Sequence, residues 1–214
     1  MRLTALPIVL LMARRIARLT RHWLSRAGAL GIACVFYLSI AWLSVASAQT
    51  VSVANVVAAK VDSNEEGYQL NADFDLQLSP TMIEAVRKGV ALHFVVEFEI
   101  SKGRWYWLDE VMVRASRTRR LSYAPLTDQY RITSAGISQN VSTVEEVQRS
   151  LSRVRSWSIA DKGRFKLDEK YEAQIRLRLD TSQLPKPFQV NALGNKDWSL
   201  TSDWLRFSFT AEKP

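Results

Sequence analysis

The chain has 214 residues, 29 Lys+Arg against 21 Asp+Glu, and one cysteine, giving a formal net charge of +8. Six arginines (Arg2, Arg14, Arg15, Arg18, Arg21 and Arg26) lie within residues 1–26 and no acid precedes Asp62, so residues 49–214 are almost charge-balanced and a nucleic-acid-binding class loses its main support. The lone Cys34 excludes a disulfide framework, and a domain of the size of 49–214 needs none, because it can bury roughly 70% of its unfolded surface.

Ala27 to Ala46 is a run without charge, about 20 residues, the length of a membrane-crossing helix. It ends in Ala46-Ser47-Ala48, the small-x-small pattern a signal peptidase cuts, which would leave Gln49 as the new N-terminus. The arginines ahead of it hold the N-terminus on the cytoplasmic side. The sequence therefore predicts export to the periplasm or cell envelope, with 1–48 as signal peptide or signal anchor and 49–214 as a single exported β-rich domain. If uncut, residues 27–46 associate the protein with the membrane. Only Ala27 to Ala33 precede Cys34, too short an apolar lead for a lipoprotein.

Val51 to Val61 is apolar and β-branched and reads as a first strand. Tyr68 to Leu78 alternates apolar and polar residues, the mark of a strand with one wet face. Ser79 and Pro80 open a short helix as N-cap and first helical residue, Glu84 and Lys88 pair across one turn, and Gly89 stops it. Leu92 to Ile100 alternates again, and Lys102-Gly103 predicts a two-residue hairpin loop. That register sets Ile100 against Trp105 and Phe98 against Trp107, with both tryptophans inward and Tyr106 outward. Val111 to Tyr123 is extended and accommodates a bulge; Ala124 to Asp128 turns back into a strand over Gln129 to Ile137. Ser142 to Glu145 reads as a capping box opening a second helix, with Val144, Val147, Leu151 and Val154 on one stripe and Arg153 and Arg155 near its end. Tyr171 to Leu179 is the cleanest half-buried strand, Leu184 to Phe188 a stiff proline-bearing connection, and Leu205 to Phe209 a closing strand. About eight strands with two short helices predict a mainly β fold, a single antiparallel β-sandwich or strongly curved sheet, immunoglobulin-like in general shape.

Four stretches carry a resemblance: Phe94 to Phe98, Arg104-Trp105-Tyr106-Trp107-Leu108-Asp109-Glu110, Arg120 to Tyr123, and Leu184-Pro185-Lys186-Pro187-Phe188-Gln189-Val190-Asn191-Ala192-Leu193. Together, and in order across Gly67 to Thr210, they resemble a family of exported proteobacterial proteins known only as a domain of unknown function. The resemblance implies an exported Gram-negative protein and a signalling context beside a membrane sensor kinase. It supplies no activity, cofactor or catalytic residue.

The candidate chemistry is sparse. Asp109-Glu110 could serve hydrolysis, but adjacent strand residues point to opposite faces, and paired-carboxylate catalysis needs both to flank one substrate. His93 is the one histidine of the exported part, with no thiolate to join it, so no metal or other cofactor is expected. No Gly-x-Ser-x-Gly elbow and no Gly-rich phosphate loop is present. Arg114, Arg117, Arg119 and Arg120 form the one basic cluster, read as a surface for an acidic protein or an anionic envelope component, with a solvated edge strand as the plainer alternative. Tyr106, outward in the expected hairpin, joins that surface. The expectation is a non-catalytic envelope domain that works by binding; the alternative is a cryptic hydrolase of cell-wall or glycan material.

Overall fold

A computed structural model describes residues 53–103, 110–192 and 194–212. The proposed leader, its processing residues Ala46, Ala48 and Gln49, and the residues Trp105, Tyr106, Trp107 and Asp109 lie outside the described residues. Among the described residues no helix is long and apolar enough to cross a membrane.

The strands are β1 (Val53–Ser63), β2 (Gly67–Gln77), β3 (Leu92–Lys102), β4 (Glu110–Ala124), β5 (Gln129–Ser134), β6 (Ile137–Val141), β7 (Arg153–Asp161), β8 (Lys170–Leu179) and β9 (Leu205–Thr210). The α-helices are α1 (Pro80–Arg87), α2 (Val144–Leu151) and α3 (Lys186–Ala192). All pairings are antiparallel, in a three-stranded sheet of order β1-β2-β7 and a six-stranded sheet of order β6-β5-β4-β3-β8-β9. The mainly β class and the two antiparallel sheets agree with the sequence patterning.

Side chains from both sheets share one hydrophobic cluster. Leu70, Ala72 and Phe74 of β2 meet Phe94, Val96, Phe98 and Ile100 of β3 and Tyr171, Ile175 and Leu177 of β8 in it. Tyr68 of β2 packs edge-on against Phe165 at 4.8 Å, and Phe165 lies 4.9 Å from Tyr171, so one aromatic knot joins the sheets. The first helix begins as its residues dictate: the Ser79 side chain accepts from Met82 N, Pro80 follows, and Lys88 Nζ pairs with Glu84 at 2.6 Å. Gly67 opens β2 where only glycine fits, with φ +150° and a Cβ position 2.3 Å from the Ala160 carbonyl oxygen of β7.

Four expectations are corrected. The β3–β4 register pairs Ile100 with Val113 and Phe98 with Ala115, not with Trp105 and Trp107, and Lys102 pairs with Glu110. Lys102 thus belongs to β3 and faces Glu110, so it is not part of the two-residue loop that Lys102-Gly103 suggested. The strand expected over Gln129 to Ile137 is split by a turn at Ala135 and Gly136, both at positive φ, which launches β6. The capping box belongs to Thr143 and Glu146, and α2 ends at Leu151, so Val154, Arg153 and Arg155 belong to β7 instead. The proline-bearing stretch folds into α3, since Pro187 within the first turn needs no helical N–H partner.

Candidate functional site

The pleat of β4 decides what its arginines can do. Side chains alternate along a strand, and the β3 partners identify the two faces. Arg117 pairs with Val96 and Arg119 with Phe94, both fully buried, so these two arginines lie on the core side. Arg114 pairs with Glu99 and Arg120 with His93 on the outward face. The four residues expected to share a basic surface are therefore split between the two sides of the sheet.

Arg119 is 9% exposed. Its Nη1 donates to the carbonyl oxygens of Ser150 at 2.8 Å and Leu151 at 3.3 Å, and its Nη2 donates to that of Arg153 at 2.7 Å. Those carbonyls end α2 and begin β7, where an α-helix leaves acceptors unpaired and carries partial negative charge. Burial pushes the guanidinium pKa down to about 10, with the Arg117 charge adding to the effect. Arg117 lies 4.9 Å over the ring of Trp157 in β7, and burial lowers its pKa as well. Arg164, beyond β7, donates from Nη2 to the Met112 carbonyl at 2.7 Å. Three arginines thus tie β4 of the larger sheet to α2, β7 and the segment after it.

The outward face of the six-stranded sheet is a lattice of alternating charge. Glu97 accepts from Arg176 Nε at 2.6 Å and from Arg178 Nε at 2.8 Å. Burial alone would raise the Glu97 carboxyl, but the two guanidiniums together hold it below the usual carboxylate range. Glu99 accepts from Arg114 Nε at 2.6 Å and Gln174 Nε2 at 2.9 Å. Arg176 also stacks 4.5 Å over Trp204. Arg120, Arg131 and Arg206 share this face, and none of them meets a carboxylate among the described residues. Beside Arg120, His93 has a buried Nδ1 with no hydrogen-bond partner among the described residues; burial lowers its pKa first and the Arg120 charge second.

An open basin of about 600 Å³ lies on the same face, lined by Glu99, Ser101, Lys170, Glu172, Gln174 and Arg206 among others. Both Glu99 oxygens are already engaged there. Among the described residues no cluster of three or more His, Cys, Asp or Glu side chains is placed to hold a metal. Sequence reasoning did not single out Arg131, Arg176, Arg178, Arg206 or Trp204, although the Glu172/Gln174/Arg176/Arg178 alternation of β8 marks the wet face to which Arg176 and Arg178 belong. Tyr106 lies outside the described residues, and Glu110 begins β4 beside Lys102.

No curated protein and no solved structure matches the chain. A family model described as a domain of unknown function, DUF4390, matches residues 51–208. That match spans most of the sequence, both sheets included, and the chain belongs to this family.

Proposed function

We propose that the protein is a non-catalytic binding module of the cell envelope. In this reading it is exported through its leader, its two sheets stack as an immunoglobulin-like sandwich, and an acidic partner is held on the outward face of the six-stranded sheet. The observation that carries the reading is the surplus of arginine there. Arg176, Arg178 and Arg114 are engaged by Glu97 and Glu99, while Arg120, Arg131 and Arg206 have no carboxylate among the described residues. A pleated, open face bearing guanidiniums without a carboxylate partner among the described residues suits a carboxylate-rich protein surface or an anionic envelope component, since arginine presents forked donors to both. A periplasmic accessory role beside a membrane sensor kinase, implied by the family resemblance, belongs to the same proposal.

The test is capture of envelope partners by full-length protein and by the triple variant Arg120→Glu/Arg131→Glu/Arg206→Glu. Wild type should hold its partner at low ionic strength and release it as salt rises past about 0.15 M, where the screening length is about 8 Å. The variant should lose the partner while melting as wild type does, because exposed charges add little to stability. Equal capture by both proteins would overturn the reading. N-terminal sequencing of the native protein should give Gln49, and an intact leader in the membrane fraction would establish the anchored form instead.

A further inference from the structure

We infer that the open edge of β4, from Val113 to Thr118, accepts an extended acidic segment of a partner as an added β-strand. β4 pairs with β3 from Glu110 to Leu121, but with β5 only from Arg119 onward, where Arg119 faces Ser134. Between the two limits one side of β4 has no strand partner among the described residues. The stretch has defined ends. At its upper end the β5–β6 turn through Ala135 and Gly136 stops short of it. At its lower end the register shifts between Ile100 and Ser101, making Met112 a bulge whose carbonyl accepts from Arg164. Large aliphatic side chains stand exposed beyond both ends, Ile137 at 76% and Val111 at 48%.

An unpaired strand edge presents a row of N–H and C=O groups that another extended chain can complete. Charge chooses the occupant. Side chains alternate, so a strand laid beside β4 sets one row near Arg114 and the other near Arg117. Arg114 engages Glu99 through Nε alone, and its other donors have no acceptor among the described residues. Arg117 rests on the Trp157 ring with no carboxylate among the described residues. Acidic side chains at alternate positions all lie on one face, and on either face they meet a guanidinium, Arg114 on one and Arg117 on the other, whereas basic ones meet like charge on either. Charges along an edge can equally serve to repel other strands, and the experiment separates these roles. The inference rests on the reading of the domain as a binder of acidic partners, but it uses the strand edge rather than the outward face.

The experiment titrates full-length protein in detergent micelles with a blocked hexapeptide alternating Val and Glu. Its Val–Lys counterpart and a backbone N-methylated Val–Glu version serve as controls. The Val–Glu peptide should bind and slow amide exchange within Val113 to Thr118 by about tenfold or more; the Val–Lys peptide should not bind, and N-methylation should abolish binding by removing the ladder donors. Binding by no peptide, or by both charge types equally, overturns the inference and identifies a guarded edge. Equal binding of the N-methylated peptide, with protection absent from β4, also overturns it, yet supports ionic capture on the outward face. Concentration-dependent protection of β4 without any peptide would make a second copy of the chain the occupant and overturn it too. The Arg120/Arg131/Arg206 variant should keep peptide binding at the edge, so failure of the outward-face reading is scored separately.

Discussion

Two pairs of arginines on one strand behave as different residues. Arg114 and Arg120 point outward from β4, Arg114 on Glu99 and Arg120 beside His93, both exposed. Arg117 and Arg119 point inward, one stacked on Trp157 and the other saturating the carbonyls at the end of α2 and the start of β7. The residue type and the strand are the same, and only parity along the pleat differs. On the core side a guanidinium must find acceptors or an aromatic face, because burying an unmatched charge costs several kcal/mol. On the outward face water serves, so a guanidinium there needs no protein acceptor. A basic cluster read along a strand is thus two half-clusters, one turned toward the core and one turned outward.

The contrast is easiest to break at Arg119. Arg119→Ala withdraws donors from three carbonyls, of which the contact to Leu151 is buried and those to Ser150 and Arg153 are part-buried, and a buried carbonyl left unpaired costs about 1–3 kcal/mol. We expect a loss of about 3 kcal/mol and a Tm lowered by roughly 6–12 °C, read by calorimetry. Arg119→Glu should prevent folding, since it sets a carboxylate against the helix C-terminus. An unchanged melt for Arg119→Ala would show that those carbonyls do not depend on it.

Arg117→Ala should cost less, about 0.5–1 kcal/mol for a stacking contact that water partly reaches. Indole fluorescence should report altered Trp157 surroundings, and Arg117→Lys should restore part of the stability. A shift as large as that of Arg119 would mean that stacking is not its main contact.

On the outward face the Glu97 carboxyl is held below its ordinary range, so its contribution is complete above the unfolded value of about 4.3. That contribution is lost as pH falls through the depressed folded value. Urea melts should show wild type more stable than Glu97→Gln near pH 7, by about 1 kcal/mol, with the difference vanishing toward pH 3. A pH-independent difference would assign the effect to packing.

The smallest expected effect belongs to Arg120. Arg120→Gln should change stability by less than about 0.5 kcal/mol, yet raise the His93 pKa toward its ordinary value by removing the nearby positive charge. The His93 pKa is lowered in the fold, by burial first and the Arg120 charge second, so its stabilisation is present above the unfolded pKa of about 6.5 and lost as pH falls through the lower folded value. The variant should shrink that loss. NMR titration of the imidazole reads the shift, and an unmoved pKa would leave burial as its sole cause.

Much of this architecture is written in local pattern. The alternation over Tyr68 to Leu78 and Tyr171 to Leu179 gives β2 and β8 with their buried faces, and Ser79-Pro80 gives the start of α1, because the pleat and the N-cap act on neighbouring residues. β6 and β7 carry only weak signals in the sequence. Ser138, Gln139 and Asn140 offer no apolar alternation, and in β7 a residue at positive φ, Ser156, breaks the period. The sequence by itself determined the mainly β class, the charge balance of 49–214 and the family. Only the tertiary structure decided the β3–β4 register, which is set by pairing along the whole length of both strands and not by a local turn signal, and with it the face to which each arginine of β4 belongs. It alone decided that the carbonyls closing α2 are met by Arg119, from a strand some thirty residues earlier, and not by the neighbouring Arg153 or Arg155. A helix end needs donors in space, and the chain can bring them from any element that packs there.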